Sequence, residues 1–420
     1  MSTTITRPGR MFRAAPFLAF AGFGAFWGVW GATLPLLRAQ AGVSDAQFGI
    51  ALLLVAAGAL PAMLLTGRLV DTLGLRVAGV LLALLGVMGV VLSFASVSYA
   101  GLCAGILAVG ASSGAADVAI NTLSATVEKR TGRPVVTRSH AMFSAMVAVS
   151  SLGAGALSAM TDSLPVAFTA AAVVVVALGL AAVAATRSAP AHDAAHDAAH
   201  DAAHDAAHDA VAPEDAPAHS GRVSWRIALL VIGAIGALAF ASENAFQTWA
   251  AVLLTDAFTA SPALAAVAPA VFATTSALAR LSAATTTLRR PIATLVVAGV
   301  IATTGGVLTA YASTLPLALM GIIAAAVGTS ALFPTLLSYG LRPVPDESRG
   351  RATSTISTVA YLGYLAGPAY FGLLADDIGV QKAFLGIAAL TAVLLATIPA
   401  LSALKRARAA PSLDETPIPT

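Results

Sequence analysis

The stretch GRLVDTLGLR (residues 67–76) separates two apolar runs, near 46–66 and near 76–97. It brings two arginines, one aspartate and two glycines together between runs that contain almost no charge. A helix needs about 20 mostly apolar residues to cross a bilayer, and each flanking run has that length. The chain is therefore predicted to leave the membrane at residues 67–76 and to cross it again.

The composition of the whole chain agrees with a membrane protein. Of its 420 residues, 58% are hydrophobic and only 10% are charged, and the mean hydropathy is +0.85. Soluble proteins carry about 25% charged residues. This difference excludes a soluble enzyme and a nucleic-acid-binding protein. The single cysteine, Cys103, also excludes an intramolecular disulfide and a cysteine-based metal site.

Apolar runs of spanning length recur along the chain and predict an all-α polytopic membrane protein with twelve transmembrane helices in two six-helix bundles. The predicted helices lie near 14–37, 46–66, 76–97, 99–126, 139–160, 164–185, 226–252, 260–280, 291–312, 315–340, 352–374 and 381–404. In the fourth of them, the pairs Gly101/Gly105 and Gly110/Gly114 are expected to allow close approach of different neighbouring helices.

The distribution of Lys and Arg predicts the orientation of these helices. With a cytoplasmic amino terminus, 21 of the 23 Lys and Arg residues fall in cytoplasmic segments, and only Arg38 and Lys382 fall outside. Positive residues are enriched on the cytoplasmic side of membrane proteins. The sequence thus predicts a multi-pass protein of the cytoplasmic (inner) membrane with both termini inside. The same count places Arg280 in a cytoplasmic segment.

A low-complexity segment divides the chain. We predict an N-terminal six-helix bundle (1–185), a cytoplasmic linker (186–224), a C-terminal six-helix bundle (225–404) and a cytoplasmic tail (405–420). The linker repeats the motif HDAA, whose histidines at a spacing of four could hold zinc or nickel if the segment were helical. A solvated linker without metal is the preferred interpretation. No cofactor is expected.

Specific motifs resemble a known family. The stretch 67–76 resembles the loop 2–3 signature of the major facilitator superfamily, G-x-L-a-D-x-x-G-x-[RK]. Further segments resemble the MosC-like transporters, relatives of the fucose-permease type of sugar/proton symporter. These segments are Asp117–Asn121 with Glu128, Gly132–Pro134 and His140–Ser144, then Ser242–Asn244 with Gln247 and Trp249, and Leu332–Thr335. The resemblance implies that Asp117, four residues before Asn121, is a proton or substrate site.

Asp117 and Glu243 are the acids that fall well inside predicted helices. A charge at the bilayer centre costs at least about 2.5–3.5 kcal/mol, so such residues usually face a cavity and have a function. A carboxyl group in an apolar cavity also binds a proton more readily than one in water. We therefore predict that both residues couple transport to protons. A purely structural hydrogen bond between helices is the alternative.

Amide and aromatic side chains near these acids are candidates for substrate binding. Asn121 lies one turn from Asp117, and Gln247 lies one turn from Glu243, so each shares a helix face with its acid. Asn244 is also a candidate, although it lies on a different face from Glu243. Trp27 and Trp30 of the first helix would supply aromatic surface. Helix-to-helix hydrogen bonding is the alternative for Asn121, and an interfacial position is the alternative for Trp30.

Four residues near the cytoplasmic ends of helices are candidates for gating. Arg68, Asp71 and Arg76 place a carboxylate between two cations and could hold the bundles together in the outward-open state. Asp71 could instead lie at a helix N-terminus, where the helix dipole favours a negative charge. His140 is a candidate gate or pH-sensing group, with a capping or interfacial histidine as the alternative.

Together these features predict a secondary active transporter that moves a small polar solute, such as a sugar or polyol, by proton symport and alternating access. Proton-driven export of a small amphiphilic compound is the alternative within transport. A membrane sensor without transport is the alternative in another class. An enzyme is not expected, because the predicted helices contain no nucleophile–base pair. The expected partners are the solute, protons and the lipid bilayer, with no nucleic acid, and a monomer is expected.

Overall fold

The computed structural model describes residues 10–187, 221–344 and 348–409, and within these ranges every regular element is helical. Twelve of the described helices are long and apolar enough to cross a membrane, which confirms the predicted fold class. They are α1 (Arg10–Ala41), α2 (Asp45–Leu73), α3 (Val77–Ala95), α4 (Tyr99–Thr131), α5 (Val135–Thr161), α6 (Leu164–Arg187), α7 (Gly221–Phe258), α8 (Val267–Arg289), α9 (Pro291–Ala310), α10 (Leu315–Leu341), α11 (Arg349–Ile378) and α12 (Val380–Ala409). A short helical turn, Pro262–Ala265, precedes α8.

Several helices extend beyond the apolar runs that predict them. α2 continues to Leu73, so most of the stretch 67–76 is helical and only its last residues form the turn. α8 continues to Arg289, so Arg280 lies within the helix and not in a loop after it. A helix can continue past its apolar run when its polar side chains face other protein groups instead of lipid. Most of the predicted linker, including its HDAA repeat, lies outside the described residues.

The turns between helices follow from particular residues of the motifs. Gly74 and Gly132 adopt positive φ angles of 78° and 62° and end α2 and α4, a conformation that favours glycine. Glu128 then ties this corner together, because its Oε2 atom accepts a hydrogen bond of 2.9 Å from the backbone N–H of Val136 at the start of α5. The segment Glu128–Pro134 thus has a structural role.

Small residues allow neighbouring helices to approach closely. A methyl group added at Gly114 would lie 2.7 Å from the Cα atom of Ala59 on α2, and one at Gly110 would overlap the backbone of Val55. Gly105 faces Leu92 of α3 instead. The two glycine pairs of α4 therefore meet different helices, as predicted. Close backbone approach is the usual basis of helix association in lipid, where the hydrophobic effect no longer favours it.

The two ends of the helix assembly differ in packing. We call the end where α1 begins and α12 ends the proximal end, and the opposite end the distal end. At the distal end, the buried apolar side chains of α1–α6 form one continuous core with those of α7, α8, α10, α11 and α12. At the proximal end, side chains of α7 and α9–α12 form a separate core. The first six helices and the last six are thus joined distally and separated proximally.

Contacts across the distal end are tight. A methyl group added at Gly49 of α2 would lie 2.8 Å from the carbonyl oxygen of Pro368 on α11. The rings of Phe48 and Trp249 meet edge to face with centroids 5.7 Å apart. The hydroxyl of Ser151 donates a hydrogen bond of 2.8 Å to the carbonyl oxygen of Ala266. This packing closes the distal end of the space between the first six helices and the last six.

The packing of α7 against α11 provides a test of the fold. A methyl group at Gly363 would overlap the backbone of Ala237, so we expect Gly363→Ala to destabilise the protein by about 1–3 kcal/mol. Thermal unfolding in detergent measures this effect. Gly153→Ala is the matched control, because nothing lies within 4 Å of a methyl group there. Equal melting temperatures for the two variants would contradict the α7–α11 contact.

Candidate functional site

An ion pair between α7 and α8 lies in the middle of the assembly. Nη2 of Arg280 contacts Oε1 of Glu243, and Gln247 donates a hydrogen bond of 3.3 Å to the same oxygen. The guanidinium Nε donates to the carbonyl oxygen of Ser330 on α10, at 3.3 Å. Glu243 is buried, with 5% of its side chain exposed, whereas 48% of the Arg280 side chain is exposed. One face of the guanidinium therefore remains open.

A cluster of aromatic residues joins α7 to α11 near this ion pair. The ring of Phe240 lies 5.2 Å from Tyr361 and 5.9 Å from Tyr364, both on α11. Tyr361 is 53% exposed and lies within electrostatic range of both Asp117 and Glu243. The two acids come from the first and the last six helices. Tyr361 therefore marks the region where the two candidate acids approach each other.

Asp117 has a different environment from Glu243. Asn121 donates hydrogen bonds to the carboxylate of Asp117, at 3.1 Å, and to its backbone carbonyl oxygen, at 2.9 Å. The predicted shared face of these two residues is present. In the described part of the chain, Asp117 forms no ion pair, and Asn121 forms no hydrogen bond to a neighbouring helix. Both side chains are partly exposed.

The polar residues that follow Glu243 on α7 separate into two kinds. Gln247 points with Glu243 toward α8, as its spacing predicts. Asn244 instead donates a hydrogen bond of 2.6 Å to the carbonyl oxygen of Tyr364, and Trp249 donates one of 3.1 Å to the carbonyl oxygen of Pro368. Asn244 and Trp249 therefore attach α7 to α11, and the amide nitrogen of Asn244 is already occupied.

The two tryptophans of α1 also differ. Trp30 is buried and its ring stacks on Phe26, with centroids 6.5 Å apart. Trp27 is partly exposed and meets Trp30 edge to face at 5.7 Å. The ring of Trp27 is thus partly accessible, and the buried ring of Trp30 packs against it.

His140 lies in the second turn of α5, and its ring packs against Phe20 of α1 with centroids 4.8 Å apart. It is within electrostatic range of Arg280, which belongs to the last six helices. The residue that precedes α5 is Pro134, so the capping alternative for His140 was wrong. His140 and Arg280 approach each other across the proximal opening.

The side chains of Arg68, Asp71 and Arg76 are exposed at the proximal end. Asp71 lies in the last turn of α2, so the alternative that places it at a helix N-terminus was wrong. Within the described ranges these three side chains form no ion pair.

The distal end, in contrast, carries an ionic cluster that joins the first six helices to the last six. Arg38 of α1 contacts Asp45 of α2 through Nη1, and its Nη2 lies 2.6 Å from Oδ2 of Asp256 on α7. Asp376 of α11 accepts a hydrogen bond of 3.4 Å from the backbone N–H of Ala46. The cluster spans α1, α2, α7 and α11 above the apolar distal core.

Comparison with known proteins agrees with this architecture. The family model described as Major Facilitator Superfamily matches residues 17–368 and 232–417. The chain belongs to the major facilitator superfamily. It is a multi-pass membrane transporter of that superfamily and not an enzyme.

Individual relatives cover nearly the whole chain. It is 26% identical to an uncharacterized transporter of Sinorhizobium fredii over 91% of this chain and 96% of the relative. It is 28% identical to an uncharacterized MFS-type transporter of Yersinia pestis over 95% of this chain and 98% of the relative. Among solved structures it resembles the nucleoside transporter NupG, with a TM-score of 0.71, 15% identity and coverage of 94% and 99%. It also resembles a D-xylose-proton symporter, with a TM-score of 0.68, 12% identity and coverage of 92% and 96%. At such low sequence identities, these solved structures show only that this superfamily member shares their fold.

Sequence reasoning missed the partner of Glu243 and the distal cluster. Arg280 stands at the end of an apolar run, which favours a loop, yet a buried carboxylate such as Glu243 requires a nearby cation. That requirement could have indicated from the sequence that a cation lies near Glu243. Arg38 could also have been recognised from the sequence, because it is one of only two Lys or Arg residues outside the predicted cytoplasmic segments. Its carboxylate partners come from distant parts of the sequence.

Metal binding receives no support from the described ranges, where no group of three His, Cys, Asp or Glu side chains is placed to hold an ion.

The distal cluster of this superfamily member gives a conformational prediction. We expect Asp256→Asn to weaken the bond from Arg38 and to populate molecules that are open at the distal end. Spin labels at Val97→Cys and Ser313→Cys, in a Cys103→Ser background, report the distal separation by pulsed electron resonance. A longer distance should appear beside the one found in the parent protein.

Asp377→Asn is the matched control, because Asp377 is an exposed carboxylate that neighbours Asp376 and forms no ion pair in the described structure. A single unchanged distance in Asp256→Asn, equal to that of the control, would show that the distal cluster does not hold the two sets of helices together.

Proposed function

We propose that this superfamily member moves a small polar solute, of the sugar or polyol kind, across the cytoplasmic membrane by proton symport. Its two six-helix bundles would alternate access to a central site, and it would act as a monomer. The placement in the MosC-like branch belongs to this proposal and rests on the motifs around Asp117 and Glu243. One of the structural relatives, the D-xylose-proton symporter, is a proton-coupled transporter.

The observation that carries the proposal is the contrast between the two central acids. Glu243 is held by Arg280, whereas Asp117 has no cationic partner in the described structure and only Asn121 beside it. A carboxyl group inside a membrane without a counter-charge favours the protonated form. Asp117 is therefore one proposed proton carrier, which holds its proton before the solute binds. Glu243 is the second, and it would take up a proton only when its ion pair with Arg280 is broken.

The orientation of the helices supports a direction of opening. If both termini lie in the cytoplasm, as the distribution of Lys and Arg predicts, the proximal end faces the cytoplasm. The closed distal end and the open proximal end then describe an inward-facing transporter. In the outward-facing state, we expect the cluster around Arg38 to separate and Arg68, Asp71 and Arg76 to close the proximal end. His140 would act near this gate.

Solute binding is proposed for the side chains that line the central region. Gln247 and Asn121 present amides beside the two acids, and Trp27 presents aromatic surface from α1. Trp30 supports Trp27 through ring packing. Asn244 contributes indirectly, because its hydrogen bond to Tyr364 positions α11 beside the ion pair. An amide and aromatic lining suits a hydroxylated solute.

The test uses purified protein in liposomes that enclose a pH-sensitive dye. Sugars, polyols, inositol-like compounds and amines are added outside, and a coupled solute should acidify the interior. We expect Asp117→Asn to abolish this acidification while exchange of labelled solute across the membrane persists, because exchange requires no net proton transfer. Glu243→Gln should also abolish the acidification.

Asp162→Asn is the control for the carboxylate-to-amide change. Asp162 ends α5 in a left-handed conformation that Asn also adopts readily, and it lies away from the central acids. If Asp117→Asn retained solute-driven acidification at the level of this control, proton coupling through Asp117 would be wrong. Solute flux without any proton movement in the parent protein would reduce the proposal to facilitated diffusion.

A further inference from the structure

The guanidinium of Arg280 is only partly used by the protein. Its Nη2 contacts Glu243 and its Nε donates to Ser330, but Nη1 makes no hydrogen bond to any described residue. Nearly half of the side chain is exposed, although the residue lies inside the assembly. A guanidinium presents its N–H groups as a planar fork that matches a carboxylate. Arg280 therefore retains an unused binding edge.

The surroundings of Arg280 include groups from both sets of helices. The groups within electrostatic range of Arg280 come from different elements: His140 on α5, Glu243 on α7 and Tyr364 on α11. His140 belongs to the first six helices, and Glu243 and Tyr364 belong to the last six, so Arg280 has neighbours from both sets of helices. In the proposed site, its open edge is assigned to the space between them.

We propose that the transported solute carries a carboxylate group, which Arg280 binds in place of Glu243. The inference rests on the proposed function, because it names the class of solute for the same site. A hydroxylated monocarboxylate, such as a sugar acid, fits the site better than a neutral sugar. Its carboxylate would occupy the fork of Arg280, and its hydroxyl groups would reach the amide of Gln247 and the ring of Tyr361.

When the solute carboxylate replaces Glu243 on Arg280, the net charge of the site stays the same if one proton binds to Glu243. Before binding, the negative charge of Glu243 balances the positive charge of Arg280. When the solute carboxylate takes over Arg280, Glu243 retains the hydrogen bond from Gln247 but loses its counter-charge. A buried carboxylate without a cation then takes up a proton from water and becomes a neutral acid. The solute and Arg280 form the new neutral pair.

The other ionisable groups around Glu243 agree with this exchange. Arg280 contacts it from α8, and Tyr361 and Tyr364 of α11 lie within electrostatic range of it. Asp117 lies within range of the same two tyrosines, and His140 lies within range of Arg280. α10 has no Asp, Glu, Lys, Arg or His, and those of α1 and α12 lie near the helix ends. Arg280 is the cation of this site, so a second carboxylate on the solute would have no counter-charge, which favours a monocarboxylate over a dicarboxylate.

Binding to purified protein in detergent tests the inference with matched pairs of probes. The pairs are D-glucose with D-glucuronate and propane-1,2-diol with L-lactate. Calorimetry in buffers of different ionisation enthalpy measures affinity and proton uptake together. We expect the acid of a pair to bind more tightly than its neutral partner, with uptake of about one proton for each bound anion.

The variant Glu243→Gln separates this role from a structural one. Loss of the competing carboxylate should tighten binding of the acid about tenfold or more, the factor that one charge-assisted hydrogen bond contributes. Proton uptake should disappear in the same variant. A residue that only stabilises the fold would not give tighter binding when removed. Asp162→Asn, the control, should change neither quantity.

The double variant Glu243→Gln with Arg280→Gln keeps the pair neutral and so avoids a lone buried charge. It should lose the preference for the acid while its melting temperature stays close to that of Glu243→Gln. If no acid binds more tightly than its neutral partner in either the parent protein or Glu243→Gln, the inference is wrong.

The outcomes also separate this inference from the proposed function. Proton-coupled flux of a neutral solute in liposomes would overturn the carboxylate while leaving symport intact. Preferential acid binding with proton uptake but without flux would support the carboxylate site and contradict transport by symport. Selective binding of an amine, lost in Asp117→Asn, would overturn the inference in favour of a cationic solute.

Discussion

The ion pair of Glu243 and Arg280 is the constraint around which the central region is arranged. Transfer of an isolated carboxylate or guanidinium into a low-dielectric interior costs several kcal/mol per ion even after relaxation. The pair offsets this cost, and it does so by joining α7 to α8 and, through Ser330, to α10. The aromatic residues Phe240, Tyr361 and Tyr364 pack against one another one turn before Glu243 and across on α11. Because Arg280 keeps one edge open, the pair is still accessible to a bound molecule.

A second ionic system joins the first six helices to the last six at the distal end. Arg38 contacts two carboxylates, one on each side of the interface between the first and last six helices, and the distal apolar core continues beneath it. Partly exposed ion pairs contribute only about 1 kcal/mol or less each. Such weak bonds suit a gate, because the helices can separate without a large cost once the cluster opens.

The motif residues divide into those that position helices and those that face the central region. Glu128, Gly132, Asn244 and Trp249 satisfy backbone groups at helix ends or between α7 and α11. Asp117, Glu243, Gln247 and Tyr361 belong to the central region, where the transport site is proposed. The division has a physical basis, since buried backbone carbonyl groups in a membrane need partners and amide or indole N–H groups supply them. Residues of one motif can therefore have different roles.

The sequence by itself determined the fold class and the twelve helices, because apolar runs of this length satisfy their backbone groups in lipid only as helices. It also determined the two acids inside predicted helices, because a charge within such a helix is rare. It also determined the shared faces of Asp117 with Asn121 and of Glu243 with Gln247, since helical spacing places residues four apart side by side. Helix ends were less predictable, because α8 continues past its apolar run and so includes Arg280. Only the tertiary structure decided that Arg280 meets Glu243, that Arg38 meets Asp256 and that the distal end is the closed one. These contacts join residues far apart in sequence, and they depend on how helices pack rather than on the pattern within any one of them.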